Sequence, residues 1–360
     1  MPSVSSLSIK GYKSIRELKD FKLFNLNVLI GANGAGKSNF IGLFRLLHEM
    51  VEQNLQVYVP TQGGPDAFLH FGRGTTDKLH AEFYFAKNGY KFDLVPTSDN
   101  RLIFESEVSW FGGVFYSSTQ SAVLGRGHDE AKLKTATDPY SPYVRPSVTN
   151  WRVYHFHETG EKAKVKQPHA ANINLRLNTD ASNLAAYLRM LQEEHEAEYR
   201  RIVDTIRLVA PFFGDFVHRP GEPEIVELEW TQKGKPDIPF KAHMLSDGTL
   251  RFICLATLLL QPVKLLPDTI LIDEPELGLH PYAITVLVDI FKQVAEQRQL
   301  IVSTQSVELV NELSPEDVIV VDQEDGASTF RRFTEEELAG WMEQYAMGEL
   351  WKRNILGGRP

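Results

Sequence analysis

The chain has a single cysteine, Cys254, among 360 residues. That excludes an internal disulfide and a Cys-rich zinc site, and it fits a reducing compartment. Positive charge is not in excess: 38 Lys and Arg face 47 Asp and Glu, a formal net charge of −9, so any nucleic-acid contact must come from a local patch. No stretch reaches the roughly 18 apolar residues that a membrane helix needs. The nearest, "FICLATLLLQPVKLL", is interrupted by Gln261, Pro262 and Lys264 and reads as a buried helix. The opening "MPSVSSLSIKGYKS" has no apolar signal core. Internal repeats and a heptad series long enough for a coiled-coil arm are also missing. These absences predict a cytoplasmic globular protein without a membrane segment. Its 42% hydrophobic content suffices for a large core.

What the chain does have is "GANGAGKSN", Gly31 to Asn39, directly behind the apolar run "LNVLI". The pattern G-x-x-x-x-G-K-[ST] places Gly31, Gly36, Lys37 and Ser38 as a phosphate loop requires. Inward-pointing amides at the start of a helix make an anion nest, lined here by Gly31, Asn33, Gly34, Gly36 and Asn39. Lys37 is expected to reach the β- and γ-phosphates of ATP and Ser38 to hold Mg2+. In "NFIGLFRLLHEMVEQ", Phe40, Ile41, Phe44, Leu47, His48 and Val51 recur at helical spacing.

Around this loop the pattern is mixed. "SVSSLSIKGYKSIRELKDFKLFNLNVLI" reads as two or three strands, and "LHAEFYFAKNGYKFDLVPT" as a hairpin with Asn88-Gly89 at its tip. "RLIFESEVSWF" continues the alternation, and residues 117–148 read as a loop or insertion. "NWRVYHFHETG" returns to strand character. A long helical stretch begins near Asp180 or Ser182, either of which can cap it, and stops at Pro211. "EIVELEWTQ" with "PDIPFKAHML" predicts another hairpin. Then "TILIDEPE", a helix from about 282 to 296, "QLIVSTQS" and "DVIVVDQ" alternate strand with helix, the mark of a mostly parallel sheet covered on both faces.

The discriminating element is "MLSDGTLRFICLATLLL", in which a short polar turn with Ser246 and Gly248 opens a helix and makes a second anion site. One nucleotide does not need two such sites from one chain. Asp273 and Glu274 follow at the carboxyl end of the strand "ILI": Asp273 is placed to bind Mg2+, and Glu274 to polarise the attacking water.

Together "GANGAGKS", "LSDGT", "ILIDEP" and "ELGLHP" resemble the ATP-binding head of the ABC superfamily. "LSIKGYKSI" with "LNVLIGANGAGKSN" resembles the N-terminus of its SMC, RecF and OLD-type branch, and "GELWKRNILGGRP" resembles stand-alone bacterial ATPases of that branch found in defence operons. The resemblance implies an α/β fold of the ABC-type P-loop NTPase head, a mixed or parallel sheet with flanking helices and an N-terminal antiparallel sheet, with an inserted helical lobe. It divides the chain into 1–165 and 263–360 for the ATP-binding lobe and 166–262 for the helical lobe. It also implies that two heads sandwich ATP, with Ser246 and Gly248 of one subunit reaching the γ-phosphate held by Lys37 of the other. The switch position after "LIVST" is Gln305 where His is common, which implies slow, weakly pH-dependent turnover, and 247 is Asp where Gly is usual, which implies a weakened or retuned sandwich. The glutamine loop falls at "YHFHETG", so His157 or Glu158 replaces the glutamine near Mg2+, with Gln62 as an alternative. His155 and His157 share a strand face but show no third ligand in sequence.

The first functional expectation is an ATPase that switches a separately encoded effector, nuclease-like, in anti-phage defence. The second is a RecF-like DNA-repair factor that uses Lys10, Lys13, Arg16, Lys19 and Lys22 as a DNA patch. Its bland counterpart is a solvated face, because Glu17 and Asp20 are interleaved. A transporter ATPase and a nucleotide-assembled scaffold are the remaining readings.

Overall fold

Residues 3–112, 120–221 and 224–359 are described by a computed structural model. Strands β1 (Ser6–Tyr12), β2 (Ile15–Lys22), β3 (Leu26–Ile30), β4 (Leu79–Phe85), β5 (Asn88–Pro96), β6 (Leu102–Phe111) and β7 (Gln120–Gly125) come first. All except β3 form an antiparallel sheet of order β2-β1-β4-β5-β6-β7. Next are β8 (Trp151–Tyr154) and the short strands β9 (His169–Ala170), β10 (Phe213–Phe216), β11 (Ile225–Val226), β12 (Glu229–Gln232) and β13 (Lys235–Lys241). The chain then supplies β14 (Thr269–Asp273), β15 (Gln299–Ser303), β16 (Val318–Glu324) and β17 (Ala327–Arg332). The central sheet runs β17-β16-β3-β15-β14-β8. Within it β16, β3, β15, β14 and β8 are parallel, and only β17 is antiparallel.

The apolar runs of the central strands have a simple cause. Val28 and Ile30, Ile270 and Ile272, Leu300 and Val302, and Val318 and Val320 pack into one core. Their alternates Leu29, Leu271, Ile301, Ile319 and Val321 pack into another. Each strand is therefore buried on both faces, as parallel strands covered by helices must be. Helix Lys37–Val51 lies between the central and antiparallel sheets, with Phe44 against Trp151 and Phe83 at ring separations of 5.0 and 6.0 Å. Helices Leu184–Glu194, Glu196–Val209, Asp247–Leu260 and Pro281–Ala295 contribute to the opposite core. The fold is α/β.

Three local expectations are corrected. The β4–β5 turn is at Ala86 and Lys87, since Phe85 pairs with Asn88. Gly89 lies within β5 because a Cβ there would stand 1.9 Å from the Trp110 ring across the sheet; its smallness serves packing, not the turn. The segment read as loop over 117–148 holds β7 and most of helix Ser141–Thr149, while 117–119 fall outside the described residues. Buried Glu107 fixes that segment by accepting from Lys132 N, Leu133 N and Tyr90 Oη at 2.8, 3.0 and 2.8 Å. The long helix is two helices that meet at His195 (φ −142°, ψ 53°). It begins at Leu184, not at an Asp180 or Ser182 cap, because Asp180 instead accepts from Ser182 N in the preceding turn at 3.0 Å. The second helix stops at Val209, and Ala210 is turned out of the helical region ahead of Pro211 (φ −124°, ψ 80°).

Candidate functional site

Because β3, β15, β14 and β8 are neighbours and parallel, their carboxyl ends open on the same edge, where open α/β sheets bind ligands. β3 delivers the glycine loop, β14 Asp273 and Glu274, β15 Ser303 to Gln305, and β8 the segment His155 to Glu158.

The loop is built from behind. A Cβ on Gly31 would lie 2.1 Å from Val321 O, and one on Gly36 the same distance from Ser328 Oγ. Ser328 and Ser14 are themselves hydrogen-bonded at 2.7 Å, and Asn39 donates to Ser14 Oγ at 2.8 Å. The tail closes the support: Gly358 N donates to Asp322 at 2.9 Å, and a Cβ on Gly358 would sit 3.5 Å from Gly31 Cα. On the other side a Cβ on Gly34 would meet no heavy atom within 4 Å, and Asn33, Gly34 and Ser38 are exposed. The left-handed φ of Gly34 (81°) and Gly36 (118°) lets the backbone curve into a nest. Lys37, 5% exposed, donates to Gly31 O at 2.6 Å and Ala32 O at 3.1 Å. Burial lowers its pKa, and the nearby carboxylates of Glu274, Asp273 and Glu276 oppose that. A backed loop, exposed Asn33, Gly34 and Ser38 and one buried cation fit a phosphate chain, and Ser38 and Asp273 each offer the oxygen donor that Mg2+ takes.

Asp273 accepts from Ser303 Oγ, and Gln305 Nε2 donates to Glu274 Oε1. Glu274 has φ 43°, unusual for a non-glycine residue, while its N–H bonds Ser303 O at 2.9 Å. The strained residue is thus the one read as polarising water, and its carboxylate is held by Gln305.

The second anion turn has a different character. Ser246 caps helix Asp247–Leu260 by accepting from Thr249 N at 3.2 Å. Ser246 and Asp247 are exposed, and Lys166 reaches Asp247 at 3.4 Å. A Cβ on Gly248 would stand 2.1 Å from Gly278 O, so the turn is pressed against "ELGLHP" of its own chain.

Sequence reading missed two groups. Arg251 is buried and donates to Phe156 O at 2.9 Å and His157 O at 3.1 Å, which joins the second anion turn's helix to the β8 edge. Its position one turn past Ser246 was the available signal. Glu276, 8% exposed, accepts from Thr304 Oγ1 at 2.6 Å and Gln305 N at 2.9 Å, and burial raises its pKa; nothing in a run of acids singled it out. His155 and His157 lie beyond the end of β8, not within it, because the strand stops at Tyr154. Burial pushes His155 down to about 4. Glu158 is exposed in the same segment, and Gln62 sits just past helix Leu55–Thr61. Among the described residues no helix is long and apolar enough to cross a membrane.

Residues 26–311 match the family AAA_21, described as "AAA domain, putative AbiEii toxin, Type IV TA system". Over 98 residues the chain is 30% identical to a Methanosarcina acetivorans protein described as "Putative ABC transporter ATP-binding protein". That match takes in 27% of this chain and spans 33% of the curated relative's length. Among solved structures, an SMC head bound to the C-winged helix domain of ScpA is similar at TM-score 0.60 and 15% identity, over 94% of this chain and 100% of that one. An SMC head with an extended coiled coil, bound to the C-terminal domain of ScpA from Pyrococcus furiosus, gives 0.61 and 15%, over 96% and 99%.

Proposed function

The chain belongs to the AAA_21 family, an ATPase of the ABC/SMC type, and from that membership we propose that it hydrolyses ATP between two copies of itself and so switches a separately encoded effector. The single observation that carries this reading is the exposed, self-capped turn at Ser246, a second helix N-terminus left available to a phosphate held elsewhere.

In this reading Gly31, Asn33, Gly34, Gly36, Ser38 and Asn39 hold the phosphates in the nest, and Lys37 exchanges its carbonyl partners for the β- and γ-oxygens. Ser38 and Asp273 would hold Mg2+, with His157 near the ion where the glutamine is usual, and the ion would neutralise charge on the transferred phosphoryl group. Glu274 takes a proton from the attacking water. Gln305 keeps the Glu274 carboxylate aimed, and as an amide it does so without titrating near neutral pH. Ser246 and Gly248 of a second copy complete the γ-phosphate shell, so association depends on the differential affinity of ATP for the closed pair. The lobes divide at 165 and 262, and Arg251 links them.

The effector role in defence rests on the family's description, which names a toxin–antitoxin system, and on analogy, since fold alone does not fix function. The DNA-repair reading draws less support: Lys10 and Lys19 both pair with Glu17 at 3.6 and 3.3 Å, and Lys13 lies over the Tyr12 and Phe68 rings.

The experiment is the mass in solution with and without Mg-ATP, alongside phosphate release. ATP is expected to drive association in the wild type and to trap it in Glu274→Gln, whose phosphate release falls about 100-fold or more. A mass indifferent to nucleotide while phosphate release persists would overturn the sandwich.

A further inference from the structure

The nucleotide reading uses Asp273 and His157 and leaves His155 without a task. His155 and His157 are separated by one residue in the extended segment beyond β8, and their ring centroids are 6.2 Å apart. β8 is the direct neighbour of β14, so both rings stand beside Asp273. One ligand atom from each of His155, His157 and Asp273 can be chosen so that all three lie within 4.8 Å of one another. An ion with bonds of about 2.0–2.2 Å spaces its ligand atoms roughly 3–4 Å apart, so the set stands within about 1–2 Å of closing on one.

Two further features point to a ligand. His155 Nε2 is buried and has no hydrogen-bond partner, a condition that buried polar atoms rarely tolerate. The segment is also fastened at successive residues: His155 N donates to Thr179 O at 2.9 Å, and the Arg251 guanidinium holds the carbonyls of Phe156 and His157. Ser303 holds one oxygen of Asp273. Outer partners of this kind orient metal ligands before the ion arrives.

The donor set does not suit magnesium, which takes oxygen ligands. Two imidazoles and one carboxylate favour borderline first-row ions. We propose that His155, His157 and Asp273 form a site for a nitrogen-preferring divalent cation of the zinc class, loaded without nucleotide. The proposal rests on the nucleotide reading for its consequence, because the shared Asp273 and His157 would then couple ATP turnover to supply of that cation.

The test uses the full chain free of nucleotide, titrated with Co2+ as a visible probe and with Zn2+ by equilibrium dialysis. The expected result is one ion per chain, retained against a hundredfold excess of Mg2+. His155→Gln and Asp273→Asn should each weaken it at least tenfold, with circular dichroism confirming that both variants fold. Lys37→Ala should still bind Co2+. No cobalt spectrum, binding unchanged in His155→Gln, or displacement by equimolar Mg2+ would each overturn the proposal. ATP-driven association measured on the same samples separates the two readings: its presence without cobalt binding removes only the metal site, and cobalt binding without it removes only the sandwich.

Discussion

Two helices in this molecule begin with a glycine-bearing polar turn, Lys37–Val51 and Asp247–Leu260, and their surroundings are opposite. The first turn is backed by Val321, Ser328, Ser14 and Gly358 and encloses a lysine that is 5% exposed. The second caps itself with Ser246 and stands in solvent. Similar local chemistry thus yields one concave seat furnished by its own chain and one convex tip. A tip of that kind gains a function only against something else.

The sharpest way to break the contrast is to disable the seat. Lys37→Ala removes the buried cation and is expected to weaken binding of a fluorescent ATP analogue about 100-fold or more, since a charge-assisted contact to phosphate contributes ~1.5–3 kcal/mol each. Disabling the tip should act differently. In Ser246→Arg, analogue binding to the single chain should stay within about twofold while ATP-driven association, followed by light scattering, is lost; losing the cap costs only about 1 kcal/mol of stability. If binding to the single chain falls as well, the two turns are not independent.

Gly248→Ala probes how the tip is mounted. Its Cβ would meet Gly278 O, so a destabilisation of ~1–3 kcal/mol in urea unfolding is expected. The same change at Gly34, which faces open space, would cost only the strain of its positive φ. A further effect is read as the pH dependence of stability. His218, packed on Tyr199, is held by burial at about 4. The unfolded chain takes up that proton near 6.5 and the folded one does not, so stability is full above pH 6.5 and declines as pH falls towards 4, by about 1–3 kcal/mol. Asp215 and Glu193, which pull the other way, and Arg189 face the same group. His218→Phe should lessen the decline in a pH series of thermal melts, leaving the share of His155, which burial also holds at about 4.

Much of the seat was legible because its chemistry is local: a strand, a glycine loop, Lys37 and Ser38 follow one another, and periodicity marks the helix behind them. Asp273 and Glu274 were legible because an apolar strand ends on them. What escaped depends on neighbours distant in sequence. The third partner of His155 and His157 is 116 residues beyond His157 (273 − 157), joined only by the pairing of β8 with β14. Arg251 earns its place from carbonyls 94 and 95 residues away. Asn88-Gly89 misled because a turn signal and a packing requirement look alike until Trp110 is seen opposite.

The contact of Gly358 with the back of Gly31 carries a consequence in time as well as space. During synthesis the loop leaves the ribosome 327 residues (358 − 31) before the glycine that supports it, and at about 5–20 residues per second that interval is some 15–65 s. Until that interval ends the back wall of the nascent loop is incomplete, so the growing chain is not yet equipped to grip ATP as the folded protein does.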